Sequence, residues 1–298
     1  MNLSIRQLKV FVAISQLGSF AEAAKVLHLS SPALSLIVKS VEETAGFKVF
    51  DRTTRSVRLT QAGQALLPYA ERLLSEHRNL TQAILNIGQK SEGVVRVAAT
   101  QLLSCTILPP VCTKLQAKWP KIKILPVDAL FDKLQELLVR GEVDFVVAPE
   151  RTCEHDIVAA PIFSTRLNIA CSINHPFAGR TSVKWAELQD EQMIMIDRGA
   201  APLIARDAKY QFMLANTYDV GHFTTALALA NENRGVVVSP DYGRRLMKAY
   251  DVVLVPLVEP SVMRKVMLYR NRRFALSPAA ERFAEHLSRL LSGHGEER

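Results

Sequence analysis

The chain has 298 residues, 48% of them hydrophobic and 22% charged, a composition typical of about two folded domains and not of a disordered chain. Lys and Arg outnumber Asp and Glu by 37 to 29, and the resulting formal charge of +8 favours an anionic partner. No apolar run reaches the roughly 18 residues that cross a bilayer, and Met1 to Lys9 lack the apolar core of a signal peptide. We therefore expect a cytoplasmic protein that makes no membrane contact.

The cysteines and histidines are scattered and predict neither a metal site nor a cofactor. Cys105, Cys112, Cys153 and Cys171 form no C-x-x-C pair, and no two histidines are four residues apart. We expect reduced, mostly buried thiols, no metal and no cofactor.

The basic excess is concentrated near the N-terminus. The first 90 residues hold 11 Lys and Arg against 6 Asp and Glu, whereas the other 208 hold 26 against 23. Four of these cations lie between Lys48 and Arg58, where only Asp51 offsets them. The local structure around this cluster decides whether it is a binding surface or ordinary uneven surface charge.

Two short helices are predicted at the N-terminus. An apolar helical stripe within residues 3–17 meets a stop signal at Gly18. Ser19 and Glu22 then have the spacing of a capping box, in which each side chain satisfies a backbone N–H at the start of a second helix.

A third helix is predicted after a tight turn. We expect Ser31 to cap it, Pro32 to occupy its first position and Gly46 to end it. Two short helices joined by a tight turn, the second with small hydroxyl residues at its start, are typical of a helix-turn-helix motif that enters the major groove of DNA. The predicted DNA-facing residues are Ser31, Pro32, Ser35, Leu36 and Lys39.

A short basic β-hairpin is predicted from Val49 to Thr60, with residues 53–56 at its tip. It carries Arg52, Arg55 and Arg58, which are suited to contact phosphates or a minor groove. The alternative is a three-helix unit with a basic hairpin that is merely solvated.

Motifs spread through the first 63 residues point to a known family. They are Leu8-x-x-Phe11, Gly18-Ser19-Phe20-x-x-Ala23-Ala24-x-x-Leu27, Leu29-Ser30-x-Pro32-Ala33-Leu34-Ser35, Glu42-Glu43 and Phe50-x-Arg52-Thr53-x-Arg55-x-Val57-x-Leu59-Thr60-x-Ala62-Gly63. Together they closely resemble the LysR-type transcriptional regulators. The resemblance implies a winged helix-turn-helix, with the basic hairpin as its wing, that binds double-stranded promoter DNA.

The chain departs from the family pattern at two positions of the third helix. Ser31 and Leu36 stand where family members often carry Gln and Arg or His, respectively. Sequence preference is therefore expected to depend on Ser31, Ser35, Lys39 and the wing, or on a contact between Leu36 and a thymine methyl group.

A long helix is predicted from Thr60 to about Gln89, and its apolar residues follow a heptad spacing. Such a narrow stripe is typical of pairing between two helices, although packing on the chain's own domain remains an alternative. The resemblance also implies that this helix dimerises, with further assembly to a tetramer expected. The predicted dimerisation residues are Leu66, Ala70, Leu73, His77, Leu80, Ile84 and Ile87.

Beyond Gly93, short β-branched runs alternate with helices, which predicts an α/β domain with a mainly parallel sheet. Motifs such as Leu108-Pro109-Pro110 and Leu138-x-x-Gly141-x-x-Asp144 extend the resemblance over essentially the whole chain. It implies a two-lobed domain like a type 2 periplasmic binding protein, with crossovers near 162–166 and 261–265. The expected domains are a winged helix-turn-helix at 1–60, a linker helix at 61–90 and an effector-binding domain at 93–298.

A cleft between the two lobes is expected to bind a small-molecule effector. Backbone N–H groups at helix starts, together with hydroxyl groups, are suited to small anions. Phe131 stands where the family often has a hydroxyl residue, which weakens a simple carboxylate clamp and favours an aromatic or apolar effector. The expected effector class is an aromatic compound or an organic acid, although an ordinary cap or loop role remains open at each position. The predicted effector-binding residues are Thr100, Gln101, Phe131, Pro149, Arg198, Gly199, Phe223 and Thr224.

These patterns predict a LysR-type regulator that binds promoter DNA as a homodimer or homotetramer, contacts RNA polymerase and responds to an effector. The alternative is a cytoplasmic small-molecule-binding protein that does not regulate DNA directly. An enzyme is not expected, because Asp128, Asp132, Glu136 and His155 have no catalytic spacing. Peroxide-sensing members of the family carry two cysteines in a stretch that corresponds to Asp190–Tyr210, which has none here, so a thiol switch is not expected either.

Overall fold

A computed structural model describes residues 3–52, 57–86, 93–196, 204 and 217–291. The chain forms two compact units, Met1–Leu85 and Asn86–Arg298. None of the helices in the described ranges is long and apolar enough to cross a membrane.

The first two helices begin and end where the local sequence predicts. Helix α1 (Ile5–Leu17) ends at Gly18, whose φ of 61° lies in the left-handed region that favours glycine. Helix α2 (Phe20–Leu27) begins after Ser19, whose hydroxyl accepts a hydrogen bond from the Glu22 N–H at 3.3 Å. Only this half of the predicted capping box is among the described contacts, because the Glu22 carboxylate pairs with Lys25 Nζ at 2.8 Å. The turn between the helices is therefore formed by Gly18, which caps the end of α1, and Ser19, which caps the start of α2.

Helix α3 (Ser31–Ala45) is capped one residue earlier than predicted. Its N-cap is Ser30, whose hydroxyl accepts a hydrogen bond from the backbone N–H three residues on, at 3.3 Å. The prediction that Ser31 caps the helix and Pro32 opens it is wrong, because Ser30 holds the extended conformation of a cap and Ser31 is already helical. Gly46 ends the helix in the left-handed conformation, as predicted.

A hairpin and a long helix complete the first unit. Strands β1 (Phe50–Arg52) and β2 (Val57–Leu59) are antiparallel, with Phe50 opposite Leu59, and helix α4 (Gln61–Asn86) follows. The three short helices, the hairpin and the start of α4 share one core, which is formed by Leu8, Val10, Phe11, Val12, Ile14, Ala23, Ala24, Leu34, Val38, Val41, Val49, Phe50, Ala70 and Leu74. Burying each large apolar side chain contributes about 1.5–3 kcal/mol, so this core supplies most of the unit's stability.

The second unit consists of two α/β lobes. Its helices and strands, in chain order, are β3 (Gly93–Ala99), α5 (Gln101–Thr106), α6 (Leu108–Lys118), β4 (Ile122–Asp128), α7 (Phe131–Val139), β5 (Phe145–Pro149), β6 (Ile157–Ser172), β7 (Val183–Lys184), β8 (Met193–Met195), β9 (Thr217–Asp219), α8 (Phe223–Asn231), β10 (Val237–Pro240), α9 (Arg244–Met247), β11 (Val252–Val258), β12 (Met263–Asn271) and α10 (Pro278–Leu291).

The large sheet is mixed, which corrects the prediction of a mainly parallel sheet. Its strand order is β4-β3-β5-β12-β6-β11-β7, and β10 also pairs with β6. Strand β3 is parallel to β4 and β5, as predicted, but β12 is antiparallel to β5 and β6, and β6 is antiparallel to β10 and β11. These antiparallel pairs join residues far apart in the chain, such as Ile157 and Asn271, so local patterning does not reveal them.

Strand β6 runs through both lobes. Its residues 157–166 pair with β12 in the first lobe, which also contains β3, β4 and β5, and its residues 167–172 lie beside β10 and β11 in the second lobe. The chain returns to the first lobe between Val258, where β11 ends, and Met263, where β12 begins. These two passages join the lobes and leave a cleft between them.

Candidate DNA-binding surface and effector cleft

The predicted contact residues of α3 all keep solvent-accessible surface: Ser35 is half-buried, and the exposed ones are Ser31, Pro32, Leu36 and Lys39. Leu36 keeps 68% of its accessible surface, although Leu34 and Val38 on either side of it in the sequence are fully buried. Lys39 Nζ lies 3.7 Å from the carboxylate of exposed Glu43. This face of α3 therefore offers small hydroxyls, one long apolar side chain and one cation.

A carboxylate ties the hairpin to α3. Glu42 Oε1 accepts hydrogen bonds from the N–H groups of Val49, at 3.0 Å, and Phe50, at 3.3 Å. Hydrogen bonds to an ionised acceptor are roughly twice as strong as neutral ones, so β1 is held in place relative to α3. From the sequence alone Glu42 was only a member of a motif, because its partners are backbone groups that no side-chain pattern reveals.

The hairpin is also joined tightly to α4. Thr60 Oγ1 donates a hydrogen bond to the Lys48 carbonyl oxygen at 2.8 Å and accepts one from the Gly63 N–H at 3.0 Å. Gly63 passes so close to Val49 that a Cβ at this position would overlap the Val49 carbonyl oxygen. The Thr60-x-Ala62-Gly63 part of the motif therefore has a steric and a hydrogen-bonding basis.

The three predicted wing arginines are described to different extents. Arg58 is exposed on β2, directly opposite Asp51. Arg52 pairs with Val57 through the backbone, but its side chain and the whole of Arg55 lie outside the described residues. Arg58 is thus the wing cation whose exposure the structure establishes.

The first part of the predicted dimerisation stripe packs inside the chain's own first unit. Ala70 keeps 2% of its accessible surface in the core, and Leu66 is partly buried against the same core. Gln16 of α1 donates a hydrogen bond to Glu71 of α4 at 3.3 Å, which fixes this face of α4 toward the short helices. The expectation that Ala70 contacts a second chain is therefore corrected, because this side chain is already buried in the core of its own unit.

The later part of the stripe is accessible. His77 is half-buried, and Ile87 lies outside the described residues. Exposed apolar side chains continue the stripe at Leu73, Leu80 and Ile84, which keep 50%, 60% and 59% of their accessible surface. Tyr69, with 65%, extends the apolar face by one turn.

A cavity of about 350 Å³ opens between the two lobes of the second unit, a volume suited to a small organic ligand. Five predicted effector-binding residues line it: Thr100, Gln101, Phe131, Pro149 and Phe223. Thr224 follows Phe223 in α8 but is not among the lining residues, and Arg198 and Gly199 lie outside the described residues.

One side chain bridges the two sides of this cleft. Gln101, the first residue of α5, accepts a hydrogen bond through Oε1 from the backbone N–H of Phe223 at 2.6 Å. Phe223 is the first residue of α8, so its N–H belongs to the helix start, where an anionic oxygen binds favourably. The amide oxygen of Gln101 occupies that position here.

The cleft also contains a cation that was not predicted from the sequence. Arg151 lines the cavity, and its guanidinium lies 5.3 Å from the centre of the Phe131 ring. Its backbone N–H donates to the Tyr269 hydroxyl at 2.9 Å, and that hydroxyl donates to the Pro149 carbonyl oxygen at 2.9 Å. Burial raises the pKa of Tyr269, so the hydroxyl keeps its proton and holds the segment that carries Arg151. One feature of the sequence indicates this role, since Arg151 is a cation two residues after the buried strand β5.

The acidic and histidine side chains considered for catalysis do not converge on this cleft. Asp128 lines the cavity, whereas Asp132, Glu136 and His155 are not among its lining residues. Glu136 pairs with Lys133 at 2.8 Å, and this hydrogen bond lowers the pKa of its carboxyl group. In the described part of the chain these groups form no common acid–base site.

Both units match family models. Residues 5–64 match the model described as bacterial regulatory helix-turn-helix protein, lysR family, and residues 88–292 match the LysR substrate binding domain. The chain is 32% identical to the uncharacterized HTH-type transcriptional regulator YfeR of Shigella flexneri, over 94% of this chain and 92% of YfeR. It is 30% identical to the uncharacterized regulator YbhD of Escherichia coli strain K12, over 95% and 90% of the two chains.

Solved structures share the same architecture. The crystal structure of CbnR, a LysR family transcriptional regulator, has a TM-score of 0.74 at 21% identity and covers 97% of this chain and 99% of its own. Full-length CbnR complexed with its target DNA has a TM-score of 0.73 at 22% identity, covering 96% and 99%. At this identity, the likeness concerns the fold.

Proposed function

The chain belongs to the LysR family of DNA-binding transcriptional regulators, and from that premise we propose which of its residues bind DNA and what class of effector it senses. In our proposal α3 enters the major groove of promoter DNA, and the wing contacts the flanking backbone or minor groove. The exposed start of α3, beside a hairpin that Glu42 anchors, is the observation that carries this proposal. The proposed contacts are Ser31, Pro32, Ser35, Leu36, Lys39, Arg52, Arg55 and Arg58.

Leu36 is proposed to contact a thymine methyl group. A leucine that keeps 68% of its surface gains from apolar contact, and the methyl group of thymine is the apolar feature of the major groove. Selection of binding sites from a random duplex pool tests this role. We expect Leu36→Gln to lose preference for T at one position of each half-site, whereas Val26→Gln, at an exposed apolar position on α2, leaves the selected sequence unchanged. An unchanged T preference in Leu36→Gln contradicts the proposal.

We further propose that two chains pair through the exposed part of the α4 stripe and that dimers assemble into tetramers on an inverted repeat. Leu73, Leu80 and Ile84 support this, since an apolar stripe on a 26-residue helix is suited to a second helix. Contact with RNA polymerase, and action in the cytoplasm where promoter DNA is found, belong to the same proposal.

The cleft is proposed to bind a small organic anion with an aromatic or apolar body. Arg151 supports a carboxylate, and the rings of Phe131 and Phe223 support the body of the ligand. Binding would change the geometry of the lobes and thereby the affinity for DNA.

Thermal shift with benzoate and its uncharged analogue benzamide tests the effector class. We expect stabilisation by benzoate and none by benzamide, and Arg151→Gln should abolish the benzoate effect. Arg282→Gln is the matched control, because Arg282 also lies over an aromatic ring, Trp119, at 5.4 Å. If Arg151→Gln and Arg282→Gln change the benzoate shift equally, the proposed anion site is wrong.

A further inference from the structure

The second unit contains another concave site, which we call the α6–α9 groove. Its walls are α6, the segment Asp241–Arg245 and the end of α10, and its volume is about 660 Å³. Among the described residues, it shares no lining residue with the effector cleft. Helix α5 separates the two, since Gln101 at its start lines the cleft and Thr106 at its end lines the groove.

The groove is rich in cations. Lys114 lies on its α6 side, and Arg244 and Arg245 lie on the opposite side, all three exposed. Asp241 is the acidic residue among its described lining residues; its carboxylate accepts a hydrogen bond from Asn168 Nδ2 at 2.9 Å and lies 3.8 Å from Arg244 Nη2. One carboxylate therefore faces three cations, and the lining keeps a net positive charge.

The inner wall of the groove is apolar. Ile107, Val111 and Leu290 contribute aliphatic surface from the first lobe. Tyr242 contributes its ring from the other side and packs edge-on against Phe163 of β6, with ring centres 6.0 Å apart. A ligand that fits this site therefore needs an apolar body as well as a negative charge.

We propose that the α6–α9 groove binds an amphipathic organic anion. Its apolar body packs on α6, Tyr242 and the end of α10, and its acidic head group lies between Lys114 and the two arginines. Lys114 belongs to α6, which comes after β3 of the first lobe in the chain. Arg244 and Arg245 belong to α9, which comes after β10 of the second lobe. An anion held between them attracts both lobes and reduces the repulsion among like charges.

The groove is tested by titrating full-length protein with 8-anilinonaphthalene-1-sulfonate, an aromatic anion whose fluorescence rises on binding. The titration uses the Arg151→Gln background, so that the effector cleft does not contribute its cation. We expect Lys114→Gln combined with Arg245→Gln to weaken binding about tenfold. The charge-conserving pair Lys114→Arg and Arg245→Lys should retain affinity within about twofold.

Two controls define the outcome. Lys118→Gln combined with Lys248→Gln removes two cations from the same region outside the groove lining, and should change affinity less than twofold. The uncharged dye N-phenyl-1-naphthylamine should bind the Lys114→Gln and Arg245→Gln protein as it binds the parent. The proposal would be overturned if the Lys114→Gln and Arg245→Gln protein and the Lys118→Gln and Lys248→Gln protein lost equal affinity for the charged dye. It would also be overturned if the Lys114→Gln and Arg245→Gln protein lost equal affinity for the charged and the uncharged dye.

Discussion

At the scale of single residues, Gly63 and Glu42 fix the wing by contacts with backbone atoms. Glu42 accepts two N–H groups of β1, and Gly63 leaves room for the carbonyl oxygen of Val49. That carbonyl also accepts the Thr60 N–H at 3.1 Å, so it is not free to move away from a larger side chain. The position of the wing relative to α3 thus depends on a few atoms around Val49.

Gly63→Ala is expected to destabilise the first unit by about 3 kcal/mol, because the overlap with a fixed carbonyl outweighs the roughly 1 kcal/mol that alanine gains inside a helix. Both tryptophans, Trp119 and Trp185, lie in the second unit. Urea unfolding followed by circular dichroism should therefore show an early helical transition, while tryptophan fluorescence keeps its midpoint.

Gly179→Ala is the control for this substitution, because a Cβ at Gly179 would meet no atom of the described residues within 4 Å. We expect both signals to be unchanged in that variant. If the circular-dichroism and fluorescence transitions of Gly63→Ala coincide at the midpoint of the parent, the overlap with Val49 is relieved without loss of stability.

The thiols are expected to react very unequally. Burial raises the pKa of Cys171 to about 11, and it also raises those of Cys112 and Cys153, so these thiols carry little thiolate at pH 8. The expectation of mostly buried thiols holds in full for Cys171 alone, because Cys112 and Cys153 are partly buried and Cys105 is exposed on the outer side of the short α5. Ellman's reagent at pH 8 should label about one thiol rapidly and none rapidly in Cys105→Ser.

Labelling of the protein unfolded in urea is the control for this experiment. Urea should expose all four thiols to the reagent, including Cys171, which is buried and mostly protonated at pH 8 in the folded chain. Rapid native labelling of Cys105→Ser at pH 8 would contradict this account of burial.

At the scale of elements, sequence reasoning works where one element carries its own signals. Gly18 and Gly46 end α1 and α3 as predicted, because the left-handed conformation that ends a helix depends only on the residue at that position. It fails where the partner is distant: the antiparallel pairing of β12 with β6 and the bridge from Gln101 to Phe223 join segments more than ninety residues apart. Arg151 was missed for the same reason, since its place in the cleft depends on Phe131 and Tyr269.

The α4 stripe shows the same division within one helix. The heptad pattern is continuous in the sequence, but the structure divides it into a part that is buried in the core of the first unit and a part that is left exposed. Leu80→Glu, in the exposed part, is expected to weaken dimerisation at least about tenfold, because a charge replaces a leucine at an apolar helix contact. Analytical ultracentrifugation measures the change.

Thr81→Glu is the matched control, since it places the same charge at the neighbouring exposed position, about 100° around the helix. It should leave the association constant within about threefold of the parent. Dimers of equal strength in both variants would mean that the chains pair through another surface.

At the scale of the whole molecule, the cleft of the second unit is closed on one side by a hydrogen bond between an amide side chain and a helix start. Gln101→Ala removes the acceptor of the Phe223 N–H, and that amide is expected to exchange with deuterium about tenfold faster. Hydrogen exchange followed by mass spectrometry of peptides that cover the start of α8 measures this effect.

Gln116→Ala, at an exposed position on α6, is the control and should leave exchange at α8 unchanged. If Gln101→Ala also leaves it unchanged, the bridge does not protect the helix start in solution, and Gln101 is not a link between the lobes.

We propose above all that this regulator recognises a specific promoter sequence with α3 while the wing supplies phosphate contacts. Fluorescence anisotropy on a selected duplex and on a shuffled duplex, over a series of salt concentrations, tests it for the parent chain and for Arg58→Gln. We expect at least about a thousandfold preference for the selected duplex, and Arg58→Gln should weaken both duplexes alike and lower the salt slope by about one. Equal affinity of the parent for both duplexes, or an unchanged salt slope in Arg58→Gln, would contradict the account.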